Sequence, residues 1–390
     1  MEYWVRKALE TYPTPFLLLD LSKVEKNYLA LKSSLKNAEI FYAVKANSHP
    51  RIIATLERLG CNFDVASKGE IEKLLSLGVK GHRMSFGNTI KKEEDIAFAY
   101  RNGVRLFAVD SEMEVEKVAV NAPGSAVFVR IATDGDDADW PLTRKFGTDP
   151  EDALRLLLLA AKKKLIPVGL SFHVGSQNLN PKSWQRAIEK AAKVFKKAMR
   201  YGLNLYLLNV GGGFPVKHRK PIPSLQEIAD TIWKAVDENL WFVHNLKLIA
   251  EPGRYMVGEA GWLVSRVILR SERMNEKWVY IDAGVFHGLA ETIQNFEYEI
   301  LVLGKEGEEK DTFHLAGPTC DSVDVIYDKV HLPKTITLND VVCFVNAGAY
   351  TVEYNTHFNG IEPPKTLFVE DLVGGKEETM SFATVERSTL

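Results

Sequence analysis

The chain has 390 residues, more than one hydrophobic core usually serves, and so predicts two domains. A net charge of −2 gives no electrostatic basis for a nucleic acid or an anionic membrane as partner. No run reaches transmembrane length and the start lacks a signal-peptide core, so the cytoplasm is the expected compartment; Cys61, Cys320 and Cys343 are too dispersed for a zinc motif or a disulfide framework, and no metal is expected.

The first predicted strand is Thr14–Asp20, TPFLLLD. Ser22-x-x-Glu25 then has the form of a capping box, opening a helix over LSKVEKNYLALKSSLKN. Eight apolar runs of strand length follow: Ile40–Val44, Asn62–Ala66, Arg83–Phe86, Arg105–Val109, Val127–Ile131, Val168–His173, Leu205–Val210 and Lys247–Ala250. Their near-continuous hydrophobicity fits buried parallel strands. Helix starts stand between them, at Ser67-x-x-Glu70, Ser111-x-x-Glu114, Asp149-Pro150, Asn180-Pro181 and Ser224-x-x-Glu227. Gly60, Gly78, Gly103 and Gly202 stand where helices should stop. The pattern predicts a (β/α)8 barrel over residues 22–258 that begins on a helix, with a doubly wound open sheet as the alternative.

Beyond residue 258 the pattern changes. WLVSRVILR, KWVYIDAG, FEYEILVL and VVCFVNAG predict strands without long helices between them. Residues 1–21 and 259–390 are therefore expected to form a second, mostly antiparallel β domain, joined by the N-terminal strand. EGEEKD at 306–311 reads as a charged, solvated loop.

In such a barrel the chemistry lies at the C-terminal ends of the strands. Polar residues gather there: Lys45 closing the first strand, Asp64 on the second, Arg130 on the fifth and His173 on the sixth, before Gly175-Ser176. Gly211-Gly212-Gly213 follows the seventh strand and Glu251-Pro252-Gly253-Arg254 the eighth. Alone, each has a plain reading: a snorkelling lysine, a hydrogen-bonded histidine, a tight turn, a surface ion pair. Together they suit few chemistries. Glycine amides and an arginine form a phosphate site, a lysine aimed at it can form a Schiff base, and a carboxylate can pair with a pyridine nitrogen. The set suggests pyridoxal phosphate (PLP), with an apolar setting to lower the pKa of Lys45 and with Ala46 and Ser48 leaving it room.

YAVKANS (Tyr42–Ser48), FDVAS, SFHVGSQ, GGGFP, EPGR, GPTCDSVD and NAGAY occur in this order between residues 42 and 350. In them the chain resembles the PLP-dependent decarboxylases of the alanine-racemase-type barrel (fold type III), which act on ornithine, lysine and diaminopimelate. The likeness covers nearly the whole chain. It implies that Lys45 holds PLP, His173 stacks on its ring, Glu251 binds the pyridine nitrogen and Asp64 supports the lysine. It implies a phosphate site of Ser176, Gly211, Gly212, Gly213, Gly253, Arg254 and Tyr350, with Arg130 near the reactive side.

The resemblance also implies a homodimer whose active sites are shared, with Cys320 and Asp321 entering the neighbouring subunit's site. Cys320 would return a proton to the substrate carbon; its plainer reading is a buried structural cysteine, which the adjacent Asp321 argues against. Asp321 would meet a distal ammonium, and Phe358 would join the substrate pocket. Ala290-Glu291-Thr292 is similar to a segment of bacterial ornithine and lysine/ornithine decarboxylases, so Glu291 is either a second acid for the amine or an exposed glutamate. His287 stands where many relatives have a small residue. The implied reaction is decarboxylation of L-ornithine to putrescine and carbon dioxide, with L-lysine second. A racemase would pair the pyridine nitrogen with an arginine, against Glu251. A non-catalytic homologue would lack cofactor residues that this chain has.

Overall fold

The computed structural model describes residues 1–133, 138–140 and 145–373. In chain order its strands are β1 (Phe16–Leu19), β2 (Ala38–Ala43), β3 (Asn62–Val65), β4 (Met84–Phe86), β5 (Leu106–Val109), β6 (Ala126–Arg130), β7 (Ala138–Trp140), β8 (Ile166–Ser171), β9 (Ser176–Asn178), β10 (Leu207–Asn209) and β11 (Lys247–Ala250). They continue with β12 (Gly261–Arg273), β13 (Glu276–Ile281), β14 (Glu299–Val302), β15 (Lys310–Ala316), β16 (Val325–Pro333), β17 (Val341–Val345) and β18 (Lys365–Phe368).

Eight of these strands close into a parallel barrel in the order β10-β11-β2-β3-β4-β5-β6-β8. Closure rules out the open-sheet alternative. The helices between the strands shield one side of each strand, and the barrel interior takes the other. Phe41, Ala108, Phe128, Val168, Leu207 and Ile249 form an apolar cluster of their own, separate from the larger core. Side chains alternate along a strand, so the residue two positions on from an interior residue faces inward again. Phe41 is thus followed on the inner side by Ala43, Phe128 by Arg130, Leu207 by Asn209 and Ile249 by Glu251. The plug of apolar side chains ends, and polar groups begin, at one rim.

Local signals explain most helix starts. Ser67 Oγ accepts from the Glu70 amide while Glu70 reaches back to the Ala66 amide, and Ser224 Oγ accepts from the Glu227 amide. Asp149 caps the helix Pro150–Lys162 through the Glu151 and Asp152 amides. Two expectations need correction. The helix Leu21–Ser34 is capped by Asp20, whose carboxylate accepts from the Ser22 and Lys23 amides, so the Ser22 box does not form. Ser111 stands at the start of Glu112–Asn121 without a side-chain cap.

Of the remaining strands, β7 and β9 pair only with each other, and the other eight form a second large sheet, β14-β17-β12-β13-β15-β16, with β1 pairing both β12 and β18. The N-terminal strand therefore joins this sheet, as expected. Most pairs are antiparallel; β1 with β18 and β13 with β15 are parallel. Part of the charged run 306–311 is not loop: Lys310 and Asp311 lie in β15, whose Phe313 and Leu315 are buried. The short helix Glu2–Leu9 covers the sheet with Val5 and Ala8 against Phe16, Leu18, Val264 and Cys343. Among the described residues no helix is long and apolar enough to cross a membrane.

Candidate active site

Lys45, Asp64, Arg130, His173, Ser176, Arg254, Glu291 and Tyr350 line one cavity of about 280 Å³ at the barrel rim. Ala66, Gly87, Asn88, Phe146 and Tyr354 complete its wall. Lys45 is not the last residue of its strand: β2 stops at Ala43, and Lys45 sits in a single 3-10 turn, Val44–Ala46. That turn lifts the side chain off the strand and into the cavity, where it is 48% exposed.

The lysine Nζ lies 3.8 Å from Asp64 Oδ2. Asp64 is only 5% exposed, and its Oδ1 has no hydrogen-bond partner within the chain. Gly87 makes space for that oxygen, since a Cβ there would come within 2.0 Å of it. An apolar setting does not lower the Lys45 pKa, contrary to expectation. Burial pulls it down, but Asp64, then Tyr350 and Glu251, outweigh that effect and raise it above the ordinary value. Ala46 and Ser48, expected to leave room for the cofactor, do not line the cavity. Ala46 packs toward Gly253 and gives its carbonyl to the Tyr350 amide at 2.7 Å, and Ser48 is bonded to Lys73 and Glu353.

Glu251 follows β11 directly. Asn209 Nδ2 donates to Glu251 Oε1 at 2.5 Å, while Asn209 Oδ1 accepts from the Gly211 amide at 2.9 Å. Burial, and next the charge of Asp64, push the Glu251 carboxyl up to about 8. Asp64 is also raised, by burial above all, although Lys45 and Arg130 oppose the shift. The site thus holds buried acid in need of a cation.

His173 lies two residues beyond β8. Its Nδ1 accepts from the Gly175 amide at 3.0 Å, which leaves the proton on Nε2. Burial, with the charges of Arg130 and Lys45, holds its pKa well below the usual value, so the ring is neutral. Gly212 lies alongside, where a Cβ would stand 3.2 Å from Nε2. Arg130 ends β6, with its guanidinium carbon 5.0 Å from the Phe146 ring centroid.

Gly211 and Gly213 have φ of +66° and +95°, and a Cβ on either would strike a backbone carbonyl, Phe172 O at 2.2 Å or Gly175 O at 2.5 Å. Only glycine makes this turn, which brings its amides close to the Ser176 segment. Gly253 is compact for a similar reason, with Ala43, Ala46 and the Tyr350 hydroxyl around it. Arg254 is 5% exposed and lies between the rings of Phe296 and Tyr350, at 4.5 and 4.9 Å. Its Nε and Nη2 both point at Ser176 Oγ, at 3.4 Å.

Glu291 departs from its sequence reading. It is 3% exposed, so it is not a surface glutamate, and it is not a free acid for an amine either. Arg254 Nη1 donates to its Oε2 at 2.9 Å, Arg254 Nη2 donates to Oε1, and the Tyr298 hydroxyl donates to Oε2 at 3.1 Å. His287 is fully buried and does not line the cavity.

Cys320, Asp321 and Phe358 are not brought to Lys45 within the chain. Cys320 is exposed, which sets aside the buried-cysteine reading, and its amide donates to Asn359 Oδ1 at 3.0 Å. Asp321 accepts from the Val323 amide at 2.9 Å, and Phe358 packs on Phe286 with ring centroids 4.8 Å apart. The buried Asp324 fixes this loop by accepting from the Val285 amide and from both the amide and hydroxyl of Thr319. Sequence reasoning missed Asn209, Asn88 and Asp324. A polar residue inside the apolar run LLNV was the available signal for Asn209.

These residues fit PLP. Buried Asp64, with Lys45 beside its Oδ2, and the raised Glu251 call for positive charge, which Lys45 supplies and a protonated pyridine would supply. The glycine turn, Ser176 and the Nε edge of Arg254 converge as donors suited to a phosphate. Fold and site define a barrel enzyme built around a pyridoxal cofactor. The model of the pyridoxal-dependent decarboxylase, pyridoxal binding domain, matches residues 21–258, and the chain belongs to that decarboxylase family. It is 37% identical over 369 residues to the lysine/ornithine decarboxylase of Selenomonas ruminantium, covering 94% of this chain and 92% of that protein. To the ornithine decarboxylase of Schizosaccharomyces pombe it is 34% identical, over 91% of this chain and 83% of the relative. The crystal structure of SrLDC with PLP and cadaverine superposes with a TM-score of 0.87 at 36% identity, over 95% of this chain and 94% of that one. The protein is a PLP-dependent decarboxylase with the fold of that family.

Proposed function

We propose that the enzyme decarboxylates a basic diamino acid, L-ornithine first and L-lysine second, releasing putrescine or cadaverine with carbon dioxide. The observation that carries the reading is the pair Cys320-Asp321 on an exposed loop outside its own chain's cavity. A proton donor and an acid in that position serve the site of a second copy, so the working unit is a homodimer with shared active sites. The names of the relatives support the diamino-acid class.

When bound, PLP supplies the covalent attachment for the substrate amine and the sink for the electron pair left as carbon dioxide departs. Lys45 Nζ would hold the cofactor and give way to the substrate amine. Asp64 keeps that nitrogen in place. Glu251, aimed by Asn209, would hold the proton on the pyridine nitrogen, and the neutral His173 ring would pack against the cofactor. Ser176, Gly211, Gly212, Gly213, Gly253, Arg254 and Tyr350 would seat the phosphate, and Arg130 would lie toward the reacting side. The partner copy contributes Cys320 Sγ, which returns a proton to the α-carbon, Asp321, which takes the distal ammonium, and Phe358, which narrows the pocket. Residues 22–258 then act as the cofactor-binding domain and residues 1–21 with 259–390 as the β domain that delivers these groups.

Carbon dioxide release from ornithine, lysine, arginine and diaminopimelate tests the assignment. Turnover of ornithine with the highest kcat/KM is expected, with lysine lower by about 10–200-fold, the worth of one methylene. Release from none of the four, or from diaminopimelate alone, overturns it.

A further inference from the structure

A guanidinium offers two edges for paired hydrogen bonds, one formed by Nη1 and Nη2 and one by Nε and Nη2. In Arg254 the first edge is occupied by both oxygens of Glu291. The second faces Ser176 Oγ at 3.4 Å from both nitrogens, too far for a good hydrogen bond. Phe296 covers one ring contact of the guanidinium and Tyr350 another. Glu291 is fixed in turn by the Tyr298 hydroxyl. Every neighbour of Arg254 therefore holds it still, except along the one edge that opens on the cavity.

We propose that Glu291 is a positioning residue for the cofactor phosphate. It locks the outer edge of Arg254 so that the Nε edge is presented, already oriented, to a phosphate oxygen beside Ser176. The inference rests on the reading of this cavity as the PLP site and goes beyond it by giving Glu291 a role apart from the substrate. Two simpler ideas predict otherwise. If only charge mattered, the Glu291 carboxylate would oppose a phosphate, and removing it would tighten PLP binding. If Glu291 met the substrate amine, its removal would raise the KM for ornithine and leave PLP affinity alone. Positioning predicts the reverse of both, because a freed guanidinium must be re-oriented on each binding event.

The test is the dissociation constant of PLP for the full-length protein, followed by the absorbance of the lysine-bound cofactor, in Glu291→Gln, in Arg254→Met and in the double variant. Glu291→Gln is expected to weaken PLP binding at least tenfold. In the Arg254→Met background the same change is expected to add less than twofold, since its effect passes through the arginine. Unchanged or tighter PLP binding in Glu291→Gln, or an undiminished effect without Arg254, overturns the proposal. So does a change confined to the KM for ornithine. If Glu291→Gln fails to fold, Tyr298→Phe decides: a few-fold weaker PLP binding supports the proposal, and unchanged binding refutes it. Failure of the wild-type protein to bind PLP at Lys45 would instead refute the site itself.

Discussion

Asn209 joins Glu251 to the glycine turn. One side chain donates to the carboxylate and accepts from the Gly211 amide, so the group proposed to meet the pyridine and the turn proposed to meet the phosphate share a single support. Asn209→Ala removes a charge-assisted bond of about 1.5–3 kcal/mol and frees both ends. PLP affinity is expected to fall by one to two orders of magnitude and kcat with it. An equilibrium PLP titration checks this; wild-type affinity would show that Glu251 and the turn are held independently.

Gly87 and Asp64 are packed so closely that no side chain fits between them. Gly87→Ala is expected to displace the Asp64 carboxylate, remove the partner of Lys45 and weaken the absorbance of lysine-bound PLP. It is expected to cost roughly 1–3 kcal/mol of stability, as overpacking does. A variant with the wild-type spectrum and melting temperature would contradict the packing described.

Glu251 also predicts a pH dependence. Its folded pKa of about 8 lies above the ordinary carboxylate value, so between these values the folded state binds more protons than the unfolded one. The contribution of Glu251 to the stability of the cofactor-free protein is then fully present at the low end of this window and is lost as pH rises to about 8. Urea unfolding across that range measures it. Glu251→Gln should flatten the slope, and parallel curves for the two proteins would remove Glu251 as its source.

The shared-site dimer has a sharp test. Lys45→Ala and Cys320→Ala are each expected to be nearly inactive. Mixed in equal amounts and allowed to exchange, half of the dimers would be hybrids, each with one intact site, and activity would return to about a quarter of the wild type by random pairing. Mixtures no more active than their parts would mean that Cys320 serves its own chain or none.

Much of this was legible in the sequence because strand ends are marked by composition. An apolar run that stops at a lysine, an aspartate or a glycine triplet announces the rim, and the eight runs announce closure. Glu291 was misread for a physical reason: its partner Arg254 is distant in sequence, and nothing within a turn of a glutamate betrays a bidentate arginine. Asn209 was hidden inside an apolar strand, where a single asparagine attracts no local rule. The Ser22 box failed because Asp20, two residues earlier, starts the helix sooner, and its charged oxygen takes the Ser22 amide that Glu25 would have bonded. The Lys45 pKa went the wrong way because the sequence suggested apolar walls but did not show how near Asp64 lay.

Tyr350 adopts the left-handed region, with φ of +60°, and its amide is bonded to the carbonyl beside Lys45. A non-glycine residue gives up about 1–2 kcal/mol to stand there. That contact also has a place in time. The barrel strands leave the ribosome well before Tyr350 does, so until it emerges the carbonyl beside Lys45 and one aromatic contact of Arg254 lack their partner. The proposed seat for the cofactor is therefore finished by a residue that lies beyond the barrel in the chain.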